Sequence, residues 1–249
     1  MEEEIIYWHL GPLSFHAKTL VMTWIAMALL LIFCLVATRK VTSGKPSGAQ
    51  NILEWVFDFI RGLINENMGW KKGGSLLTYL VTLIMFIFFS NMLGLVPNLT
   101  FGLLKHVEFA ELGKIFAGPN FASPTADVNT TGALAVLTLI LFVAYGIGYQ
   151  KGHYFKHFLE PNPVFLPIHL VELVAKPMTL AMRLFGNIFA GEVLIKVILT
   201  LPTLALLLGG FVANTVWLAF SVFVGAIQSF VFTVLTIAYV SQSVGSEEH

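Results

Sequence analysis

Five charged side chains lie within one long apolar stretch of this 249-residue sequence, residues 164–201. Each charge near the centre of a bilayer costs about 2.5 to 3.5 kcal/mol on insertion scales, so such groups normally face protein or water. Their placement indicates an ion route through a membrane. The sequence contains no phosphate-binding loop, nucleophile elbow or metal-spaced Cys/His cluster, and we therefore expect no cofactor and no metal site. In chain order the five residues are Glu172, Lys176, Arg183, Glu192 and Lys196.

On a helix, several polar groups near Arg183 fall on one face. At 100° per residue, Glu172 and Lys176 lie within about 20° of Arg183 around the helix axis. His169 and Asn187 lie within about 40° of it. Glu172 and Lys176 are four residues apart in the favourable acid-first order, so they can pair with each other. Arg183 is left without such a partner on this face.

Glu192 lies about 180° around the helix from Arg183 and roughly 13 Å further along it. The guanidinium is effectively always protonated, and it is placed between two carboxylates at different depths. This arrangement suits an ion route that is entered from both sides but does not run straight through. For Arg183 the alternative is a packing role between helices. For the pairs Glu172–Lys176 and Glu192–Lys196 the alternative is a simple helix contact.

A second polar line occurs in the last apolar stretch of the chain. Asn214, Ser221 and Gln228 recur every seven residues and share one face of a helix. Sparse polar lines often only join helices to each other. Opposite a charged helix, however, this line predicts a polar seam.

The elements that must hold these residues are membrane helices. Hydrophobic residues make up 57% of the chain and charged residues 11%, whereas soluble domains have about 25% charged residues. The formal net charge is zero, which gives no reason to expect a nucleic-acid partner. We predict an all-α integral membrane protein in contact with the lipid bilayer, forming a single domain over 1–249.

Five apolar stretches predict transmembrane helices, because about 20 residues cross roughly 30 Å of hydrocarbon. The last two stretches are too long for upright helices and predict strongly tilted ones. Between the first two, apolar residues at three- and four-residue steps predict an amphipathic surface helix; an ordinary cytosolic helix is the alternative. The predicted elements are spans 20–38, 76–97 and 130–150, tilted helices 164–201 and 203–242, the surface helix 50–67 and an outer loop 98–129.

Lysine and arginine residues favour one side of the predicted membrane. Six follow the first span before residue 75, whereas the loop 98–129 has two. This bias predicts an outer N-terminus and a cytoplasmic C-terminus. The leader carries Glu2, Glu3 and Glu4 instead of basic residues, so we expect a retained first span and no transit peptide. A bacterial plasma membrane is the expected location, with a thylakoid membrane as the alternative.

Several motifs resemble those of one membrane-protein family. The run PMTLAMRLFGNIFAGE, which ends at Glu192, is similar to the signature of subunit a of F-type ATP synthases. Four other stretches agree with the family and occur in family order. They are TSGKPSGAQN, SNMLGLVPN, SPTADVNTT and IQSFVFTVLTIAYV, and together with the first run they span nearly the whole chain.

The resemblance implies a stator subunit, non-catalytic by itself, that packs against a rotating ring of c-subunits and works with peripheral-stalk b subunits. It also implies two offset aqueous half-channels that carry H⁺ or Na⁺ to and from carboxylates on the ring. Arg183 would separate these half-channels. The residues expected to line or shape the route are Asn187, Glu192, Gln228 and Ser221. Glu192 belongs to the entry channel from the outside, as does the neighbourhood of Asp127, and Glu172 and His169 are the candidates for the cytoplasmic exit side.

One position departs from the family pattern. Some relatives have a histidine seven residues before the glutamine of the last helix, functionally tied to the glutamate, and this chain has Ser221 there. A titrating His–Glu pair therefore cannot form, and Glu192 must work with water, Lys196 or another polar group. Two other classes of function stay open. One is a self-contained secondary ion transporter, although no inverted repeat is apparent. The other is a non-transporting anchor subunit, which would leave Arg183 unexplained.

Overall fold

The structure is a computed structural model that describes residues 7–10, 13–42, 44–94, 123–150, 166–199 and 211–244. In these ranges a two-stranded antiparallel hairpin precedes a series of helices. Short helical turns at Trp70–Gly73 and Gly74–Leu76 lead into the third long helix, and a 3₁₀ turn at Pro124–Ala126 precedes the fourth. The bounds are β1 Tyr7–Leu10, β2 Leu13–His16, α1 Ala17–Thr38, α2 Ala49–Met68, α3 Leu77–Leu93, α4 Val128–Gln150, α5 Leu166–Leu199 and α6 Phe211–Val244.

The contacts divide the chain into two compact units, which we call unit 1 and unit 2. The boundaries fall inside α1, α3, α4, α5 and α6, so each of these helices contributes residues to both units. Unit 1 comprises Met1–Ile32, Phe86–Thr130 and Phe185–Gln228; unit 2 comprises Phe33–Met85, Thr131–Leu184 and Ser229–His249.

Unit 1 contains the hairpin and the helix that follows it. The strand register pairs Tyr7 with His16 and Trp8 with Phe15. Because side chains alternate along a strand, Trp8 and Phe15 share one face of the hairpin. The Trp8 ring contacts Trp24 of α1, with 6.2 Å between ring centroids. A small core of this unit is formed by Met22, Ala26 and Leu93, with Ile25 and Phe86 packed against it.

Unit 2 contains the amphipathic helix α2, whose observed range of Ala49–Met68 overlaps the predicted 50–67. Ile60 and Ile64, one turn apart, are fully buried, whereas Trp55 is 67% exposed. Phe59 contacts Phe230 of α6, with 5.7 Å between ring centroids. The helix therefore has one face packed in the unit and a second face that presents a large apolar side chain, as a membrane-surface helix requires.

Four helical stretches of the described chain are long and apolar enough to cross a membrane: Ala17–Thr38, Trp70–Leu93, Val128–Gln150 and Thr215–Val244. Helix α5, which carries the five charged residues noted above, is not among them. The chain is a mostly helical, multi-pass membrane protein, and the hairpin is an element that the predicted all-α fold did not include. Most of the predicted outer loop and the break between the two predicted tilted helices lie outside the described residues.

Candidate functional site

A cavity of about 200 Å³ in unit 1 brings together residues from three helices. Three predicted site residues line it: Asn187 and Glu192 of α5 and Ser221 of α6. Asn91 and Gly94, at the end of α3, complete the polar part of the lining. Helical spacing alone predicted that Asn187 and Glu192 lie on different faces of α5. In the structure both side chains nevertheless line the same cavity.

Two polar contacts join α5 to α6 in this unit. Asn187 Nδ2 donates a hydrogen bond to Gln228 Oε1 at 3.0 Å, and Trp217 Nε1 donates one to the Gly191 carbonyl at 3.2 Å. Within the described ranges, Gln228 Nε2 and the Ser221 hydroxyl are buried without a hydrogen-bond partner. Buried polar groups are normally satisfied by protein or water. These two groups are therefore suited to a path that admits water.

The Glu192 carboxylate is oriented by a backbone amide. Its Oε1 accepts a hydrogen bond from the Ser123 N–H at 2.6 Å. Ser123 is the residue that begins the 3₁₀ turn before α4, and it is 2% exposed. A hydrogen bond to an ionised acceptor is shorter and stronger than one between neutral groups. The contact therefore fixes one carboxylate oxygen in a partly buried setting.

A buried hydrogen-bond network holds Ser123 in turn. The Ser123 hydroxyl donates to the Ser90 carbonyl at 2.8 Å. The Thr125 hydroxyl donates to Asn91 Oδ1 at 2.6 Å, and Asn91 Nδ2 donates to the Gly225 carbonyl at 2.9 Å. The end of α3, the turn before α4 and the middle of α6 are thereby joined. Because each donor has its acceptor, the Ser123 amide is presented to the carboxylate by a network that is costly to disturb.

Gly94 allows the close approach of these groups. A Cβ atom at this position would lie 2.8 Å from the Ser123 Cβ and 2.9 Å from Glu192 Oε1. Both distances are shorter than van der Waals contact, and a glycine has no Cβ atom to fill this space. The contact between Glu192 and Ser123 therefore depends on Gly94.

Arg183 lies on the part of α5 that belongs to unit 2, and its side chain is exposed. Within the part of the chain that the structure describes, no hydrogen bond or ion pair joins Arg183 to another residue. Its neighbours Met178 and Met182 are 60% and 51% exposed. This part of α5 therefore exposes a cation as well as large apolar side chains.

Glu172 and Lys176 form the predicted pair in unit 2. Lys176 Nζ lies 2.8 Å from Glu172 Oε1. The ammonium group also lies 5.8 Å and 5.7 Å from the ring centroids of Phe142 and Tyr239, within the range of a cation–π contact. Glu172 is exposed and paired with Lys176. The alternative role for this pair, a simple contact along one helix, therefore stays open. His169, one turn after the start of α5, is partly exposed.

Asp127 belongs to a polar cluster of its own in unit 1. Its Oδ1 accepts a hydrogen bond from the Asn129 N–H at 2.8 Å, which caps the start of α4. Its Oδ2 accepts one from the Thr19 hydroxyl of α1 at 2.8 Å. Among the described residues, no group of three or more His, Cys, Asp or Glu side chains is arranged to hold a metal ion.

Sequence reasoning assigned no role to Ser123, Asn91, Thr125 or Gly94. The first three act through a backbone amide or through hydrogen bonds between distant segments, and spacing along one helix does not predict such contacts. A signal was present, because all four residues lie in the SNMLGLVPN and SPTADVNTT stretches that resemble family motifs.

Comparisons with known proteins identify the family of this chain. The family model described as "ATP synthase A chain" matches residues 20–241, which is most of the chain. The chain belongs to the ATP synthase A chain family. Proteins named ATP synthase subunit a are similar to it over almost all of its length. That of Desulforamulus reducens is 43% identical, covering 97% of this chain and 84% of its own length. That of Priestia megaterium is 40% identical, covering 94% of each chain.

A third relative, the ATP synthase subunit a of Listeria monocytogenes, is 38% identical over the full length of both chains. As a member of the ATP synthase A chain family, this protein is a membrane component of an ATP synthase complex. The matched range contains every predicted site residue from Asp127 to Gln228. It begins after His16, so the hairpin lies outside the family match.

Proposed function

We propose that this chain is the stator ion-channel subunit of an F-type ATP synthase, without catalytic activity of its own. It carries H⁺ or Na⁺ through two offset half-channels to and from carboxylates of a c-subunit ring, so that ion flow drives rotation and ATP synthesis. The observation that supports this most is the cavity lined by Glu192, Asn187 and Ser221. Glu192 and Asn187 belong to α5, the helix that also exposes Arg183.

The outer half-channel, in this proposal, passes the cavity of unit 1. Glu192 binds and releases the ion, while Asn187 and Gln228 present amides along the route. Ser221 adds a hydroxyl that no described protein group satisfies, and water can take that position in the chain of hydrogen bonds. Asp127 lies further toward the outer medium. The Ser123 amide holds Glu192 in place through one carboxylate oxygen, Oε1.

Arg183 separates the two half-channels. A ring carboxylate that approaches the guanidinium is favoured in its ionised form, whereas lipid around the ring favours the neutral form. Each ring carboxylate therefore releases its ion before it passes Arg183 and takes up another ion afterwards. A transmembrane potential supplies roughly 2.3 kcal/mol per charge per 100 mV for this cycle. Arg183 also prevents a direct leak, because it repels a cation that would cross between the half-channels.

The proposal also includes an inner half-channel, an orientation in the membrane and a contact with the peripheral stalk. Glu172 and His169 lie near the start of α5 and contribute to release on the cytoplasmic side. Helix α5 is a fifth crossing, and α5 and α6 are tilted. The N-terminus lies outside a bacterial plasma membrane and the C-terminus lies inside. Peripheral-stalk b subunits hold the chain against the torque of the ring.

Reconstitution in liposomes tests this function. The whole ATP synthase is compared with the isolated chain, in media with and without Na⁺. We expect the complex to synthesise ATP when an ion gradient is imposed and to pump ions when ATP is added. We expect the isolated chain to exchange no ions, since the ring carboxylates complete the route. Ion exchange by the isolated chain at the rate of the complex would contradict the stator function and favour a self-contained transporter.

A further inference from the structure

The hairpin places a histidine beside Asp127. His16, the last residue of β2, makes a hydrogen bond from its Nδ1 to the Thr19 hydroxyl at 2.6 Å. Its Nδ1 lies 4.0 Å from Asp127 Oδ2, too far for a direct hydrogen bond. The contact between Trp8 and Trp24 packs the opposite face of the hairpin against α1. The imidazole is thus held at the start of α4 by the fold of the N-terminal segment.

The three side chains form a directed chain of hydrogen bonds. An ionised Asp127 can only accept, so Thr19 donates its hydroxyl proton to Oδ2 at 2.8 Å. The Thr19 oxygen must then accept from His16, which requires a proton on Nδ1. Asp127 Oδ1 accepts from the Asn129 N–H that caps α4, whereas Oδ2 accepts from the Thr19 hydroxyl. The second carboxylate oxygen therefore faces the hydroxyl and, through it, the imidazole.

We propose that His16 exchanges protons with the outer medium and passes them to Asp127 through the Thr19 hydroxyl. This inference rests on the proposed function, in which Asp127 belongs to the outer half-channel, with H⁺ as the ion that is carried. Histidine is the residue type that changes its charge near neutral pH. The His16 side chain is 32% exposed, and that of Asp127 is 19% exposed. The imidazole can therefore reach water, while the carboxylate is more enclosed.

The transfer is balanced in protons. The Nδ1 proton of a protonated His16 moves to the Thr19 oxygen while the Thr19 proton moves to Asp127 Oδ2. A neutral imidazole and a neutral carboxyl group result, and Asp127 then passes its proton inward. Rotation of the imidazole of His16 exposes the bare Nδ1 to the outer medium, where it takes up the next proton. The imidazole then rotates back and the Thr19 hydroxyl rotates as well, which restores the starting arrangement.

Other titratable groups near His16 belong to several elements. Tyr7 of β1 contacts its ring, with 5.9 Å between centroids. Lys18 follows two residues later on α1. His9 is two residues from Tyr7, so strand alternation places it on the same face of the hairpin. Among the described residues, Asp127 is the carboxylate in contact with this group.

The test uses the whole ATP synthase in liposomes, with the pH varied in the compartment that faces the hairpin. We expect His16→Ala to lower ATP synthesis severalfold and to remove the dependence of the rate on the pH of that compartment. Imidazole added to the same compartment should restore the rate. Thr19→Val should reproduce the loss and Thr19→Ser should not, because serine keeps the hydroxyl. His9→Gln is the matched control and should behave as the wild type.

Two results would overturn the relay: a wild-type rate and pH dependence in His16→Ala, or a loss that imidazole does not restore. The second would assign His16 to anchoring the hairpin. Arg183→Ala, measured in parallel, separates this inference from the proposed function. Coupling that persists in Arg183→Ala contradicts the stator function itself. Coupling that is lost there but unchanged in His16→Ala contradicts the relay alone.

Discussion

The two glutamates of α5 have opposite surroundings. Glu172 is exposed and paired with Lys176, one turn further along the same helix. Glu192 is partly buried, contacts the Ser123 amide before α4, and lines a cavity. The first contact is local and can form on any helix with this spacing. The second exists only because distant segments fold together, so Glu192 is the carboxylate whose position the fold controls.

The largest difference is expected when each glutamate is neutralised. Glu192→Gln keeps an oxygen that can accept from Ser123 but cannot take up a proton, and we expect ATP-driven pumping to fall about tenfold, or about 1.4 kcal/mol. Glu172→Gln is the matched variant and should fall much less. Pumping by reconstituted ATP synthase at several pH values provides the measurement. Equal losses would remove the distinction between the two glutamates, and wild-type rates in Glu192→Gln would exclude it from the path.

A smaller effect is expected when the surroundings of Glu192 are crowded. In Gly94→Ala, the new methyl group would displace Ser123 and the carboxylate, at a cost of about 1 kcal/mol, the lower end for overpacking. We expect a lower melting temperature of the purified complex and slower pumping. Gly132→Ala is the control, because a Cβ there has no neighbour within 4 Å. If both variants behave alike, the close approach at Gly94 is not required.

The smallest effect is expected at the Glu172–Lys176 pair. Glu172→Met removes the exposed carboxylate that pairs with Lys176, while the contacts of Lys176 with Phe142, Tyr239 and Gln242 stay in place. Exposed pairs one helical turn apart contribute about 0.3–0.5 kcal/mol. The thermal stability of the complex should therefore change by less than in Gly94→Ala. A loss as large as that of Gly94→Ala would show that the Glu172–Lys176 region is as constrained as the Glu192 region.

The same contrast explains what the sequence could predict. Long apolar stretches predict membrane helices by their length and composition alone. The Glu172–Lys176 pair likewise follows from spacing on one helix. The hairpin was missed because its strands are only four residues long, although a Gly-Pro pair in a sequence, as at positions 11 and 12, is of a type that favours turns.

The Ser123 contact was missed for a different reason. A backbone amide has no side-chain signal, and its partner Glu192 lies 69 residues away. The network of Asn91, Thr125 and Gly225 likewise joins three segments whose pairing no periodicity specifies. The resemblance pointed to these stretches without giving them a role. Arg183 is the reverse case, because its type and its place in an apolar helix were sufficient to single it out.

Arg183→Ala in the reconstituted complex tests the central claim most directly, with Met182→Ala, at the exposed residue before it, as the control. ATP hydrolysis and ATP-driven ion pumping are measured on the same preparation, together with ATP synthesis from an imposed gradient. Without the cation between the half-channels, we predict that the complex assembles and hydrolyses ATP but neither pumps ions nor makes ATP. Met182→Ala should remain coupled. Coupled pumping at the wild-type rate in Arg183→Ala would contradict the account.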